Sequence, residues 1–230
     1  MTFAPDGRTL AVNCAGLSLW DVSDPARPRL AGQAAISDGY SSMAFSPDGR
    51  TLATGGGSVR LWDVTDRARP RLLAQPLADA GFDVTFAPDG RTLVTEVRLL
   101  DVTDRTRPRP LGQPLLDAWD SAALSPDGRT LVTTGGGTVQ LWDVTSRDAP
   151  RQLGRPVAGA SAPVVFSPDG RTVATGGVDA AQLWDVSGRP GPRRLGEAIP
   201  GRADTVAFSP GGSLLAVSGL DRPVQLWRLR

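Results

Sequence analysis

Three aspartates stand at matching positions along the chain, each seven residues before an apolar residue that leads into a proline turn. They are Asp38, Asp79 and Asp117, which precede Phe45, Phe86 and Leu124. Tyr40 and Trp119 follow the first and third of these aspartates by two residues. Grouped carboxylates could hold a hard cation such as Ca²⁺. Exposed aromatic rings beside carboxylates suit a peptide or a cationic partner.

We predict that these positions form a partner-binding surface, at one mouth of the ring that the repeats described below are expected to form. It consists of Asp38, Tyr40, Asp79, Phe82, Asp117, Trp119 and Asp120. In the alternative interpretation the aromatic side chains fill gaps left by short loops, while the aspartates cap turns. We assign no catalytic, metal-binding or cofactor-binding residue.

Composition restricts the chemistry available to the chain. It has no histidine, so it lacks the usual acid/base group at neutral pH and the commonest nitrogen ligand for metals. Tyr40 is the sole tyrosine, and the sole cysteine, Cys14, stands in an apolar context typical of a buried residue. We therefore expect that the protein is not an enzyme and has no cofactor.

Charge and hydropathy exclude further classes of partner. A net charge of +1 gives no overall attraction to nucleic acid or to an anionic membrane, and no aromatic residues interleave with the arginines. No apolar run is long enough to span a bilayer, and the first residues lack the features of a signal peptide. We expect a cytoplasmic protein that binds neither nucleic acid nor membrane.

A tight-turn motif repeats along the whole chain and defines the elements that position the candidate site. Pro-Asp-Gly begins at Pro5, Pro47, Pro88, Pro126 and Pro168, with a Pro-Gly-Gly variant at Pro210. Proline sets φ at the first corner, aspartate caps the turn, and glycine accepts a positive φ. Each copy therefore predicts a hairpin, such as the one from Phe45 to Thr54.

A third strand and a weaker fourth strand follow each hairpin. Val59, Leu61 and Trp62 show the third, which ends in Trp-Asp-Val and is followed by a polar loop. Prolines around the fourth strand cost ladder hydrogen bonds, so this strand belongs at the outer edge of a sheet. Four antiparallel strands in about 40 residues describe one blade of a propeller.

The Trp-Asp step carries a resemblance to a known family. It stands at Trp20, Trp62, Trp142 and Trp184, is reduced to Leu100-Asp101 in the third copy, and becomes Trp227-Arg228 in the sixth. The chain resembles WD40 repeats, especially bacterial arrays of the actinobacterial type. The resemblance implies an all-β, WD40-type β-propeller of six blades, in one domain over residues 1–230 with repeats starting near 1, 43, 84, 122, 164 and 206.

The resemblance also implies a function. We expect a non-catalytic scaffold that binds a protein or peptide and is a regulatory or sensory part of a bacterial signalling system. The alternative is a propeller enzyme, or a binder of a metal or small ligand, that uses the carboxylates at the ring mouth.

Departures from the family pattern lead to further expectations. Family blades join a histidine, a Ser or Thr, an aspartate and the tryptophan in a buried network, which we expect to be absent here. The tryptophans are expected to pack between blades. Two interpretations are open for the arginines after each turn and for Arg27, Arg69, Arg107 and Arg151. They form a basic rim, or they pair with nearby aspartates such as Asp6 and Asp48.

The last copy lacks a fourth strand. We expect a closed or nearly closed ring with a three-stranded last blade. A longer array, or another subunit that supplies the missing edge and so forms a homo-oligomer, remains open.

Overall fold

A computed structural model describes residues 1–13, 16–36, 42–78, 83–95, 98–113, 121–188, 191–220 and 222–229. Every regular element among these residues is a β-strand, and the strands form six antiparallel sheets, which we number as blades 1 to 6. The chain divides into two compact units, Met1–Pro114 and Leu115–Arg230, with three of these blades in each. That the six repeats form one domain stays a prediction.

Unit 1 holds the first three blades. Blade 1 consists of β1 (Thr2–Phe3), β2 (Thr9–Asn13), β3 (Leu17–Asp21) and β4 (Arg29–Ala34). Blade 2 consists of β5 (Ser42–Phe45), β6 (Thr51–Gly55), β7 (Ser58–Asp63), β8 (Arg71–Leu72) and β9 (Leu77–Ala78), with β8 and β9 both paired to β7. Blade 3 consists of β10 (Val84–Phe86), β11 (Thr92–Thr95), β12 (Leu99–Asp101) and β13 (Arg109–Leu111).

Unit 2 holds the other three blades. Blade 4 consists of β14 (Ser121–Leu124), β15 (Thr130–Gly135), β16 (Thr138–Asp143) and β17 (Arg151–Ala158). Blade 5 consists of β18 (Ser161–Phe166), β19 (Thr172–Gly176), β20 (Ala180–Asp185) and β21 (Arg193–Pro200). Blade 6 consists of β22 (Thr205–Phe208), β23 (Leu214–Gly219) and β24 (Arg222–Arg228). Within the described residues blade 6 has three strands, so the predicted lack of an outer strand is confirmed.

The proline turn joins the first and second strands of each blade as predicted. In blade 2 the amide of Ser46 donates to the carbonyl of Thr51 at 2.8 Å, and the amide of Gly49 donates back to Ser46 at 2.8 Å. Gly49 has a φ of 67°, which favours glycine. Asp48 Oδ1 accepts the amide of Arg50 at 3.0 Å. The aspartate therefore caps the turn, and the glycine allows it to close.

The end of the third strand is fastened to the same turn. The amide of Val64 donates to the carbonyl of Arg50 at 2.9 Å. The side chain of Asp63 accepts the amide of Thr65 at 2.9 Å, which starts the following polar loop. The Trp-Asp-Val segment and the proline turn consequently lie on the same side of each blade, called here the turn face.

Neighbouring blades cover each other's apolar faces. In unit 1, Leu17 and Leu19 of blade 1 pack with Phe45, Leu52 and Trp62 of blade 2. In unit 2, Ala174 and Ala181 of blade 5 pack with Val206 and Leu215 of blade 6. Because residues on both faces of the second and third strands are apolar, an internal blade needs a neighbour on each side.

Two of the repeated tryptophans pack between blades as predicted. Trp62 and Trp184 are buried against the preceding blade. Trp227 departs from the prediction, because it is 40% exposed in the last blade.

Part of the tryptophan hydrogen-bond network persists without histidine, so the expectation that it would be absent needs correction. The indole Nε1–H groups of three tryptophans donate to buried threonine hydroxyls at 3.0 to 3.2 Å. The pairs are Trp62 with Thr54, Trp142 with Thr133 and Trp184 with Thr175. A hydroxyl on the second strand is a sufficient acceptor for the indole.

No helix among the described residues has the length and apolar character that crossing a bilayer requires.

The indole–threonine bond should contribute measurably to stability. Thr175→Val keeps the side-chain shape but leaves the buried Nε1–H of Trp184 without its acceptor. We expect the free energy of unfolding to fall by about 1–3 kcal/mol, measured by urea denaturation. Thr205→Val, at an exposed position in β22, is the matched control and should leave the midpoint almost unchanged. Equal midpoints for the two variants would contradict a stabilising role for this bond.

Candidate functional site at the turn face

The predicted partner surface lies outside the described residues. This holds for Asp38, Tyr40, Asp79, Phe82, Asp117, Trp119 and Asp120, and the surface stays a prediction. Between blades 2 and 3, the hydroxyl of Ser42 donates to Asp83 Oδ1 at the start of blade 3, at 2.6 Å. Within the described part of the chain, no three His, Cys, Asp or Glu side chains form a group that could hold a metal ion.

An arginine joins blade 2 to blade 1 at the turn face. The Nε–H of Arg67 donates to Thr9 Oγ1 at 3.2 Å, and Nη2 pairs with Asp6 Oδ2 at 3.5 Å. Its Nη1 donates to the carbonyls of Gly49, at 2.9 Å, and Val64 within its own blade. One guanidinium thus connects the turns of two neighbouring blades, a contact that we call an arginine clasp.

The same clasp joins blade 3 to blade 2. Arg105 Nη1 donates to Thr51 Oγ1 at 2.6 Å, and Nη2 pairs with Asp48 Oδ2 at 3.2 Å. Thr51 is buried, whereas about half of the Asp48 side chain is exposed. Each clasp therefore combines a protected hydrogen bond from the guanidinium to a neutral hydroxyl with a solvated ion pair.

The polar loop after the Trp-Asp step positions the arginine. Asp66 Oδ1 accepts the amide of Ala68 at 3.0 Å, and the carbonyl of Asp66 accepts the amide of Arg69 at 3.1 Å. This turn places Arg67 beside β4 of blade 1, where a Cβ at Gly32 would collide with the carbonyl of Arg67. Glycine at this position permits the close approach of the two blades.

The aspartates of the clasps were predicted to pair with arginines, but their partners differ from the predicted ones. Asp6 and Asp48 are paired, as the interpretation of neutralised arginines requires, but with Arg67 and Arg105. The sequence-based set contained Arg69 and Arg107, the second arginine of each loop. The sequence contains a signal for the correct arginine, because the first arginine of each loop directly follows the aspartate that forms the loop turn.

Two cavities lie at the turn face between neighbouring blades. The first, between blades 2 and 3, has a volume of about 690 Å³ and is lined by Asp48, Asp89 and Arg105 among others. The second, between blades 5 and 6, has a volume of about 470 Å³. It is lined by Asp169 and Thr172 of blade 5 and by Phe208, Gly212 and Leu229 at blade 6.

The last blade exposes apolar residues of its third strand. Val224 and Leu226 in β24 are 65% and 68% exposed, whereas the corresponding Val59 and Leu61 in β7 are buried. Among the described residues, β24 pairs with β23 alone, so its other edge carries backbone groups with no strand beside them. This edge can accept an extended segment.

The first blade also exposes apolar side chains. Phe3 is 60% exposed, and Leu10, Val12 and Trp20 line a mainly apolar cavity of about 500 Å³ on blade 1. Pro25 stands where the next two blades have Arg67 and Arg105. Blade 1 therefore lacks the arginine with which a blade clasps the one before it.

Comparison with family models identifies the repeats. The model of the WD domain, G-beta repeat, matches residues 30–63 and 119–143, which end at the Trp-Asp steps of blades 2 and 4. These two segments are WD40 repeats. No curated protein matches this chain.

Solved structures similar to this chain include enzymes. Hydrazine synthase of Kuenenia stuttgartiensis is 20% identical with a TM-score of 0.69, over 94% of this chain and 71% of that one. The periplasmic gluconolactonase of Pseudomonas aeruginosa is 19% identical with a TM-score of 0.77, over 98% and 79%. A functionally unknown protein from Desulfotomaculum acetoxidans DSM 771 is 14% identical with a TM-score of 0.76, over 99% and 81%.

These similarities confirm the β-propeller fold and correct the functional prediction. The two named enzymes are β-propeller proteins, so the predicted fold class is confirmed, while the number of blades in a ring stays a prediction. The prediction of a non-catalytic binding scaffold is wrong as an inference from this fold, because structures of the same fold occur in enzymes. That this chain itself is not an enzyme stays a prediction.

The ion pair of the clasp should make stability depend on pH. Burial of Asp48 opposes ionisation, but the Ser46 hydroxyl, the Arg50 amide and the Arg105 guanidinium together hold the pKa of Asp48 below its ordinary value. A carboxyl whose pKa is lowered on folding stabilises the protein above its ordinary pKa, near pH 4. This contribution is lost as the pH falls through the lowered pKa.

Removal of the guanidinium tests this contribution. At pH 7 we expect Arg105→Met to lower the free energy of unfolding by about 1–2 kcal/mol, through the charged pair and the Thr51 bond. The difference from wild type should shrink as the pH falls through the lowered pKa of Asp48, because the carboxyl is then protonated. Urea denaturation at several pH values measures both effects. Arg107→Met in the same loop is the control, and a pH-independent loss in Arg105→Met would rule out the ion pair as its source.

Proposed function

We propose that this chain binds a protein partner by accepting an extended segment of that partner along the free edge of β24. WD40 repeats generally mediate protein–protein interactions, and the edge of the last blade gives this chain a specific place for one. The observation that carries the proposal is the exposure of Val224, Leu226 and Trp227. In the internal blade 2 the corresponding side chains are all buried.

The internal blades define the register that such a segment would take. A leucine of the fourth strand lies opposite the leucine before the Trp-Asp step in blades 3, 4 and 5. The pairs are Leu99 with Leu111, Leu141 with Leu153 and Leu183 with Leu195. A partner leucine is therefore expected opposite Leu226.

Charge distinguishes the partner segment from the chain's own fourth strands. In each of the five other blades, the aspartate of the Trp-Asp step lies opposite an arginine that begins the fourth strand. In blade 6 the aspartate is replaced by Arg228. Opposite charges on facing strands attract and like charges repel. The segment that suits β24 consequently begins with a carboxylate, followed two residues later by leucine.

The spacing of the internal fourth strands completes the motif. In β17, Arg151, Leu153 and Val157 face Asp143, Leu141 and Val139, with a bulge between the last two pairs. In β21, Ile199 occupies the place of Val157 and faces Ala181. An acidic residue, a leucine at the third position and a β-branched residue at the seventh therefore describe the expected segment.

Binding of designed peptides tests the proposal. The octapeptide Glu-Gln-Leu-Gly-Gln-Pro-Val-Ala follows β17 with glutamate in place of the first arginine and glutamine in place of the second. Its matched control begins with lysine. We expect the glutamate peptide to bind the wild-type protein about three- to tenfold more tightly, as measured by fluorescence anisotropy of the labelled peptides.

A charge swap provides the decisive control. Arg228→Asp should reverse the preference, so that the lysine peptide binds more tightly than the glutamate peptide. A preference that is the same in both proteins would refute the assigned edge. If dimerisation of the unlabelled protein at high concentration displaces the labelled peptide, the edge binds a second copy of the chain instead.

A further inference from the structure

The clasp of Arg67 shows a set of five groups that holds a guanidinium, and the clasp of Arg105 repeats the aspartate and the threonine of this set. One blade supplies an aspartate and a threonine from its turn. The next blade supplies the last residue of its first strand, the turn glycine and the residue after its Trp-Asp step. Around Arg67 these are Asp6, Thr9, Phe45, Gly49 and Val64. The phenylalanine contributes its ring, whose centroid lies 5.7 Å from Cζ of Arg67.

The same five positions meet between blades 5 and 6. They are Asp169, Thr172, Phe208, Gly212 and Leu229, and all five line the cavity of about 470 Å³. Within the described part of the chain, no arginine lines this cavity. The five groups that hold the guanidinium of Arg67 in unit 1 therefore have counterparts that surround open space here.

Accessibility differs between the filled sets and this one. Thr9 and Thr51 are buried beneath their arginines, and so is Phe45 beneath Arg67. Thr172 and Phe208 are only half-buried. A ligand can therefore reach both the hydroxyl and the ring.

Asp169 supplies negative charge to the cavity. The Ser167 hydroxyl, at 2.6 Å, and the amide of Arg171, at 3.0 Å, both donate to Oδ1. These bonds lower the pKa of Asp169, the hydroxyl most, so the carboxylate is ionised at neutral pH. The second oxygen, Oδ2, corresponds to the atom of Asp48 that pairs with Arg105.

We propose that the cavity formed by Asp169, Thr172, Phe208, Gly212 and Leu229 binds the guanidinium of an arginine side chain presented by a partner protein. Arginine fits better than lysine, because its planar fork donates to a carboxylate, a hydroxyl and a carbonyl at once. Its flat face also lies on an aromatic ring. This site does not depend on strand addition at β24.

A peptide from the chain's own clasp provides the probe. The capped hexapeptide Thr-Asp-Arg-Ala-Arg-Pro reproduces residues 65–70, and its control carries lysine in place of the first arginine. We expect the lysine peptide to bind about tenfold more weakly in fluorescence anisotropy, because the forked donor is lost. Capped arginine alone should bind more weakly than the hexapeptide. Equal affinities of these two would assign the cavity to a small guanidinium compound and overturn the proposal of a protein partner.

Variants of the protein locate the binding. Asp169→Asn and Thr172→Val should each weaken binding of the hexapeptide, the first by about tenfold. Asp127→Asn is the matched control, because Asp127 caps the equivalent turn of blade 4 through Ser125 and Arg129. If Asp169→Asn and Asp127→Asn bind equally well, the proposed cavity is not the site.

Failure of the octapeptide test at β24 can be distinguished from failure of the hexapeptide test at this cavity. The glutamate octapeptide contains no arginine, so Asp169→Asn should leave its binding to β24 unchanged. If Asp169→Asn weakens both peptides, it has disturbed blade 6, and Thr172→Val then decides. Normal hexapeptide binding by Thr172→Val would overturn the proposal.

Discussion

A blade of this protein cannot bury its own apolar side chains, and the rest of the structure follows from that constraint. All five residues of β6 are buried, although successive side chains point to opposite faces of the sheet. Burial on both faces requires a neighbour on each side. An internal blade such as blade 2 is therefore covered twice, whereas the last blade leaves Val224 and Leu226 in contact with solvent.

Apolar contact alone does not fix how two blades are aligned, since it is not directional. The polar groups of the turn face supply direction. The aspartate-capped turn holds its carboxylate and threonine in place, and the arginine of the next blade reaches both. In these blades the apolar packing is therefore not directional, whereas the clasp favours one alignment of the two turns.

Much of the fold was predictable because it depends on local chemistry. Proline, aspartate and glycine determine the turn within a few residues, and the alternation of Val59, Leu61 and Trp62 indicates a strand buried on both faces. The clasps were not predicted, because Arg67 and Arg69 stand in one loop and only the folded loop shows which of them reaches blade 1. The indole–threonine bonds were missed because the absence of histidine was taken to remove the whole network. The predicted aspartate and aromatic surface lies outside the described residues.

Each clasp takes its donor from one blade and its acceptor from the blade before, so the contact has a polarity along the chain. Duplication of one internal repeat would insert one new donor together with one new acceptor. Deletion would remove one of each. The number of internal repeats can therefore change by recombination without leaving an unpaired charge at the new junction. The pattern is broken in the first and sixth repeats, where Pro25 stands in place of the donor arginine and Gly211 in place of the acceptor aspartate.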